Sequence, residues 1–169
     1  MLPGLSDLEE KTREAIAATD PTAFLLAEHA WLRELLDAYR AQARSGEQPG
    51  EVLEAMREMQ PLLDLHIRYE EEAYFPAIED LMQEAGQGST FDMYGEHDAI
   101  KIRLEQLLAA LEGRSGVAAA YGAFSRSLLV HFENEEELIF AEVPTRLSED
   151  ARRDVLQAFD ALKAGPSQG

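Results

Sequence analysis

The sequence predicts an all-α protein built as an up-down-up-down four-helix bundle, with short extra helices at its N- and C-termini. Long stretches carry apolar residues at helical spacing, and glycine-rich stretches separate them. No stretch shows the sustained period-two alternation that is typical of half-buried strands. Short connections favour antiparallel packing of consecutive helices. We expect one domain over residues 1–169, with the bundle core at about 21–144.

Two local signals place the first two helices. Ser6 and Glu9 have the spacing of a capping box, which predicts a short N-terminal helix beginning there. Asp20 and Pro21 predict the N-cap and the first helical position of the first long helix, which runs to about Arg44. The sequence RSGEQPG then ends that helix.

The second long helix is expected over about 51–82. Pro61 and Pro76 lie inside it and predict a bend at each position, because proline cannot donate a backbone hydrogen bond to the preceding turn. The sequence QEAGQGS forms the next loop. The third long helix follows over about 90–111.

The fourth long helix is expected over about 117–143, and Pro144 closes it. Ser148 then predicts the N-cap of a short terminal helix. Gly165 predicts the end of that helix, because glycine readily adopts the left-handed conformation that terminates helices.

Composition excludes several functional classes. The chain has no cysteine, so it can form no disulfide, thiolate metal site or iron–sulfur cluster. The formal net charge of −18 disfavours nucleic acids and anionic membrane surfaces as partners, since both are bound by clustered Lys and Arg. No stretch has the pattern of a signal peptide or a membrane span. We therefore expect a cytoplasmic protein.

All four histidines lie in an internal repeat of two helix pairs. His29 and His97 fall on the apolar stripes of the first and third long helices. His66 and His131 fall on those of the second and fourth. The halves are helix pairs of similar length, so we expect a pseudo-two-fold bundle. The repeated segments are AEHAWLRELL (27–36) with GEHDAIKIRL (95–104), and LHIRYEEEAYFP (65–76) with LVHFENEEELIF (129–140).

Two glutamates complete a candidate metal site. Glu70 follows His66 by four residues, and Glu135 follows His131 by the same interval, so each pair shares one helix face. An unpaired carboxylate in an apolar interior costs several kcal/mol, so it takes up a proton or binds a cation. Two metal ions would neutralise these glutamates and accept nitrogen ligands. Imidazole with carboxylate suits iron, zinc, manganese or copper, and two bridging carboxylates in a bundle favour a dinuclear iron centre.

These segments resemble the hemerythrin-like (HHE cation-binding) domain over about residues 23–144. The segments that carry the resemblance are EHAWLRELL, LHIRYEEEAYFPAI, EHDAIKIRL and HFENEEELIF. The family implies a four-helix bundle around a non-haem pair of iron ions (Fe2+/Fe3+), which an oxo or hydroxo group can bridge. It also implies that His29 and His66 bind one iron, that His97 and His131 bind the other, and that Glu70 and Glu135 bridge them.

The chain departs from the oxygen-carrying members of that family at one position. Lys101 stands where the carriers have a fifth histidine, so one iron loses a nitrogen ligand. The resemblance is therefore to a four-histidine branch, which implies a position open to oxygen, peroxide or nitric oxide. An alternative is an iron- or oxygen-sensing or iron-storage module without turnover. Peroxide- or oxygen-reducing activity and the oligomeric state stay open. The carriers' spacing would select Glu136 as the bridge, whereas the internal repeat selects Glu135, which we follow.

Other nearby side chains are assigned simpler roles. Glu28 and Glu96 could orient imidazoles, but a solvated position is the simpler expectation for each. Tyr74 is expected to pack in the core with its hydroxyl hydrogen-bonded. The remaining acidic residues beside the motifs are expected to be exposed, since they point away from the stripe of a straight helix; they are Glu71, Glu72, Glu136 and Glu137.

Overall fold

The computed structural model describes residues 2–86, 89–141 and 143–165, without the side chains of residues 143 and 144. Within these ranges the chain is helical and contains no β-strand, which confirms the all-α prediction. A π-helical segment, Glu70–Tyr74, joins α3 to α4, and a 3-10 segment, Val143–Arg146, precedes α7. The α-helices are α1 (Leu5–Ala17), α2 (Pro21–Ser45), α3 (Pro49–Tyr69), α4 (Phe75–Glu84), α5 (Phe91–Glu112), α6 (Val117–Leu138) and α7 (Glu149–Ala164).

The bundle is formed by α2, α3 with its continuation α4, α5 and α6. Around the bundle, α2 packs on α3, α3 on α5, α5 on α6, and α6 on α2. Outside this ring, α1 packs on α2, and α7 packs on α3 and the π-helical segment. No helix in the described part of the chain is both long enough and apolar enough to cross a membrane.

The helix starts are only partly as predicted. Asp20 caps α2, because its carboxylate accepts hydrogen bonds from the backbone N–H groups of Thr22 and Ala23 at 3.0 and 3.1 Å. The capping box at Ser6 was wrong: α1 begins at Leu5, with Gly4 as its N-cap and no side-chain cap. Gly4 has φ +71°, a left-handed conformation that turns the chain into the helix one residue before Ser6.

The second long helix contains a widened turn close to Pro76. At its C-terminal end, the N–H of Phe75 donates to the carbonyl of Glu70, five residues earlier. Proline has no N–H and its ring clashes with the turn before it, which a regular α-helix cannot relieve. A π-helical turn leaves more room there and changes the directions of the side chains that it carries. Pro61, by contrast, lies within the α-helical span of α3.

The fourth long helix ends earlier than expected. It stops at Leu138 rather than near residue 143. The carbonyl of Glu135 accepts the N–H groups of both Ile139 and Phe140, at 2.8 Å each. The second of these bonds spans five residues, like the bond from Phe75 to Glu70, so the helix widens at the same point of the repeat and ends there.

The apolar core is divided into two clusters. One lies toward the end of the bundle where Leu36 and Leu107 pack, and the other includes Leu25, Phe75 and Phe159. On α2, His29 lies between Leu25 of the second cluster and Leu32 of the first. A layer of buried polar side chains therefore separates two apolar layers, and this layer is the candidate site.

Candidate metal centre

The structure brings all the sequence-predicted ligands into one buried layer. Each of the four bundle helices contributes one histidine. The glutamates stand at the two widened turns described above. None of the side chains is more than 2% exposed; they are His29, His66, Glu70, His97, His131 and Glu135.

One half of the layer is formed by His29 and His66. Their Nε2 atoms are 3.2 Å apart, and the His66 Nε2 is 3.2 Å from Oε1 of Glu70. The His29 Nε2 is 3.7 Å from the same oxygen and 3.3 Å from Oε2 of Glu135. Ligand atoms held about 2.1 Å from one ion lie roughly 3.0–3.4 Å apart, so these spacings suit a single cation.

The other half is formed by His97 and His131. Their Nε2 atoms are 2.9 Å apart, and the His97 Nε2 is 3.2 Å from Oε2 of Glu70. The His131 Nε2 is 3.3 Å from Oε2 of Glu135, and the His97 Nε2 is 3.8 Å from Oε1 of that residue. Glu70 thus presents one oxygen to each half. In each half, one ligand atom from each of the two histidines and both glutamates lies within 4.8 Å of the others.

Every imidazole also contacts a carboxylate on its outer side. The Nδ1 of His66 is 2.8 Å from Glu28, and that of its repeat counterpart His131 is 2.8 Å from Glu96. The expectation that Glu28 and Glu96 are simply solvated was therefore wrong. An Nδ1–H donated to a carboxylate fixes the ring orientation and leaves the Nε2 lone pair directed inward.

The other two imidazoles use glutamates that were expected to point away. The Nδ1 of His29 is 3.0 Å from Glu136, and that of His97 is 2.8 Å from Glu71. Glu71 follows Glu70 inside the π-helical segment, whose wider turn brings both side chains toward the site. Projection on a straight helix does not predict these contacts. The sequence features that could have indicated the widened turn are Pro76 and the internal repeat. Of that group, Glu72 and Glu137 are exposed as expected.

The outer carboxylates of the two halves are held differently. Arg33 donates two hydrogen bonds to Glu136, at 2.7 and 3.0 Å. Lys101, which occupies the place of Arg33 in the repeat, instead lines a cavity with Asp64 and Glu105. On the other pair of imidazoles, Asn134 donates to Glu96 at 2.9 Å. The centre is therefore symmetric in its inner groups and asymmetric in the groups that support them.

In the absence of metal, burial and neighbouring charges shift the pKa values of several side chains in this layer. Burial disfavours the charged imidazole of His29, but the carboxylates around it outweigh burial and raise its pKa to about 9. Burial and the nearby Glu70 charge raise the pKa of Glu135 to about 7. Burial, together with the other imidazoles, lowers the pKa of His131 to about 3. Protons alone therefore do not satisfy all of these side chains at once.

Two observations indicate that the layer fits cations. Both carboxylate oxygens of Glu70 and of Glu135 are buried, and none of them accepts a well-aligned hydrogen bond, although imidazole Nε2 atoms lie as close as 3.2–3.3 Å. Such oxygens are rare in folded proteins, because each costs about 1–3 kcal/mol. The Nε2 atoms also face each other in pairs, and with Nδ1 as the donor each pair needs a proton or a cation between its lone pairs. The residues therefore fit bound metal ions in place of protons.

Aromatic side chains enclose the layer. Phe132 stacks on the His29 ring with centroids 3.9 Å apart, and Phe75 lies parallel to the His97 ring at 5.9 Å. Tyr74 is fully buried and its hydroxyl is 2.7 Å from Thr22, which confirms its expected packing role. These groups leave an apolar surrounding in which charges at the centre are weakly screened.

Comparison with known families agrees with this geometry. The family model described as the hemerythrin HHE cation-binding domain matches residues 20–143. A second match covers residues 91–164, which begins at the second helix pair of the repeat. Comparisons with curated proteins and with solved structures gave no match.

Proposed function

Since this chain belongs to the hemerythrin HHE cation-binding family, we propose that it holds two iron ions in the polar layer of its bundle. The observation that carries the proposal is the set of four buried carboxylate oxygens without a well-aligned hydrogen bond, directed between two pairs of imidazole nitrogens. Two cations would satisfy these oxygens and separate the facing nitrogens.

The residues would divide between the ions according to the halves of the layer. His29 and His66 would bind one ion through Nε2, and His97 and His131 would bind the other. Glu70 would bridge the ions, because its two oxygens face opposite halves. Glu135 would be the second bridge. Its support over Glu136 is that Glu135 lies 3.3 Å from the inner nitrogen of His29, whereas Glu136 lies 3.0 Å from the outer one.

Iron is the proposed metal because of the ligand set. Imidazole and carboxylate without thiolate suit iron in either of its common oxidation states, and two bridging carboxylates suit a dinuclear centre. Two imidazoles and two shared carboxylates would leave each ion room for a small ligand. Bound iron supplies reversible redox change and an attachment point for oxygen, peroxide or nitric oxide. We place the chain in the four-histidine branch, because Lys101 replaces a fifth histidine.

The side chains around the layer would control that chemistry. The outer carboxylates hold each imidazole with Nε2 directed inward, so the metal meets ligands that are already oriented. The rings of Phe132 and Phe75 exclude bulk water from two of the imidazoles. Exclusion of water limits side reactions such as hydrolysis of reactive intermediates.

A sensing or storage role without turnover is the second candidate. Its support is the unfavourable burial of ionisable side chains in the metal-free layer. Because bound metal would relieve this cost, the stability of the fold would depend on metal occupancy. A partner protein could detect such a change in stability. The single domain over residues 1–169 and the cytoplasmic location stay predictions.

Metal analysis and spectroscopy test the proposal. Protein produced in iron-replete cells should contain about two irons per chain and absorb in the near ultraviolet by charge transfer from a bridging oxygen. His66→Ala should lower the iron content and the melting temperature, whereas the exposed control Glu137→Gln should change neither. Unchanged iron content in His66→Ala would count against its role as a ligand.

Anaerobic reduction followed by oxygen or peroxide separates the two candidates. Reversible binding or repeated turnover would support small-ligand chemistry. A single oxidation without rebinding, combined with a large change in melting temperature on iron loading, would favour sensing or storage.

A further inference from the structure

The two halves of the centre are covered differently at the bundle surface. In the repeat, Ala99 on α5 occupies the place that Trp31 occupies on α2. Each follows a buried histidine by two residues. Ala99 lines a groove between α5 and α6, whereas Trp31 is buried and bonded to the N-terminal segment. An indole and a methyl group fill such a groove to very different extents.

On the α2 side, Trp31 and the N-terminal segment cover the surface of the helix. Trp31 is 4% exposed, and its Nε1–H donates to the carbonyl of Pro3 at 2.9 Å, which fixes the ring under the N-terminal segment. Leu62 of α3 packs against the same apolar cluster. The side chain of Glu28, which supports His66 in this half, is only 16% exposed.

On the α5 side, the groove is open. A cavity of about 280 Å³ lies between α5 and α6. Glu96, which supports His131 in this half, is 33% exposed, twice the value for Glu28. The cavity is lined by Glu96, Ala99, Arg126, Ser127, Val130 and His131.

This open groove ends on a candidate ligand. His131 belongs to the lining, and its Nε2 lies 3.3 Å from Oε2 of Glu135 at the centre. The same residue therefore borders the groove and contributes a nitrogen to the space proposed for the metal. Ala99 and Val130 make the wall largely apolar, which favours uncharged molecules over ions.

We propose that the groove between α5 and α6 is the route by which a small uncharged ligand, of the size of dioxygen or nitric oxide, reaches the centre. The ligand arrives at the half formed by His97 and His131, while Trp31 and the N-terminal segment cover the surface of α2, which carries His29 of the other half. This inference rests on the proposed iron centre. The route identifies the half of the centre that the ligand reaches first. The inner residues do not identify it, because they are nearly symmetric.

A reversible plug at position 99 tests the route. The chain has no cysteine, so Ala99→Cys introduces one thiol at the groove, and Ala109→Cys places the matched control on the exposed surface of the same helix. Each variant is loaded with iron, reduced anaerobically, separated from the reductant by gel filtration and only then labelled with a benzyl methanethiosulfonate. One portion of each labelled sample is then treated with a thiol that removes the label, and the thiol is removed before the measurement. The association rate of nitric oxide is measured by stopped flow, and iron content and helicity are measured on the same samples.

The route predicts a rate at least tenfold lower for labelled Ala99→Cys, full recovery when the label is removed, and no change for labelled Ala109→Cys. Iron content should stay equal in all samples. Equal rates with and without the label at position 99 would overturn the route and leave the iron centre standing. Unlabelled protein that holds no iron would overturn the proposed function, and the route with it.

Discussion

Replacing the Glu135 carboxylate by its neutral isostere tests whether cations are what make the buried layer tolerable. Glu135→Gln keeps the size of the side chain and removes its charge. In the metal-free protein, burial and Glu70 raise the pKa of Glu135 from 4.5 to about 7. A shift of that size corresponds to roughly 3 kcal/mol by which the ionised carboxyl destabilises the folded state.

The sign of the pH dependence follows from the raised pKa. The wild-type metal-free protein loses this stability as the pH rises from about 4.5 to about 7, and the loss is complete above that range. Glu135→Gln avoids it. The variant should therefore be more stable than wild type at pH 8 by about 3 kcal/mol, or roughly 6–12 °C in melting temperature, and equal to it near pH 4.5.

In the iron-loaded protein the order should reverse. An amide supplies no charge and bridges poorly, so the affinity for iron falls, and a hundredfold loss removes about 2.7 kcal/mol of stabilisation per ion at saturating metal. Thermal unfolding followed by circular dichroism, with and without iron, measures both arms, and Glu137→Gln is the exposed control on the same helix. A variant less stable than wild type in both states, at every pH, would refute the reasoning.

Three further predictions concern the groups around the centre. Arg33→Met should weaken binding of one of two Co2+ ions about 10–100-fold in calorimetric titration, because Glu136 loses the two hydrogen bonds that orient it against His29. Equal Co2+ affinities in the variant and the wild type would contradict this prediction. Metal loading at pH 8 should release protons, and the affinity for metal should rise with pH and level off above about 9, because the pKa of His29 is raised to about 9. Titration with a pH indicator measures the released protons, and loading without proton release would contradict the prediction. Glu79→Gln should lower the free energy of unfolding by about 1 kcal/mol at pH 7 and not at pH 2, because hydrogen bonds from Thr90 lower the pKa of Glu79 to about 2. The ionised carboxylate therefore stabilises the fold above pH 4.5 and loses this effect as the pH falls, which urea unfolding at the two pH values measures.

The fold and the inner residues could be predicted because they depend on local rules. Asp20 with Pro21 marks a helix start by its own chemistry, and the structure shows that cap. The four-residue interval between His66 and Glu70 places both side chains on one helix face whatever the tertiary structure. A repeat then supplies the same pair on α6, so the inward glutamate there could also be chosen from the sequence.

The supporting groups could not be predicted in this way, because they depend on local departures from α-helical geometry and on packing between helices. Glu71 reaches His97 from a π-helical turn, which a straight-helix projection does not represent. Glu136 reaches His29 across the interface of α6 with α2. The end of α6 at Leu138 follows from the carbonyl of Glu135 accepting two N–H groups, a feature without a strong sequence signal. The contrast between Trp31 and Ala99 was present in the repeat, but its meaning required the open groove.

Anomalous diffraction at the iron absorption edge, from crystals of protein purified from iron-replete cells, tests the central proposal most directly. Two peaks are expected between Glu70 and Glu135, one beside His29 and His66 and the other beside His97 and His131. A well-ordered polar layer without a peak between these carboxylates, in protein exposed to ample iron, would contradict it.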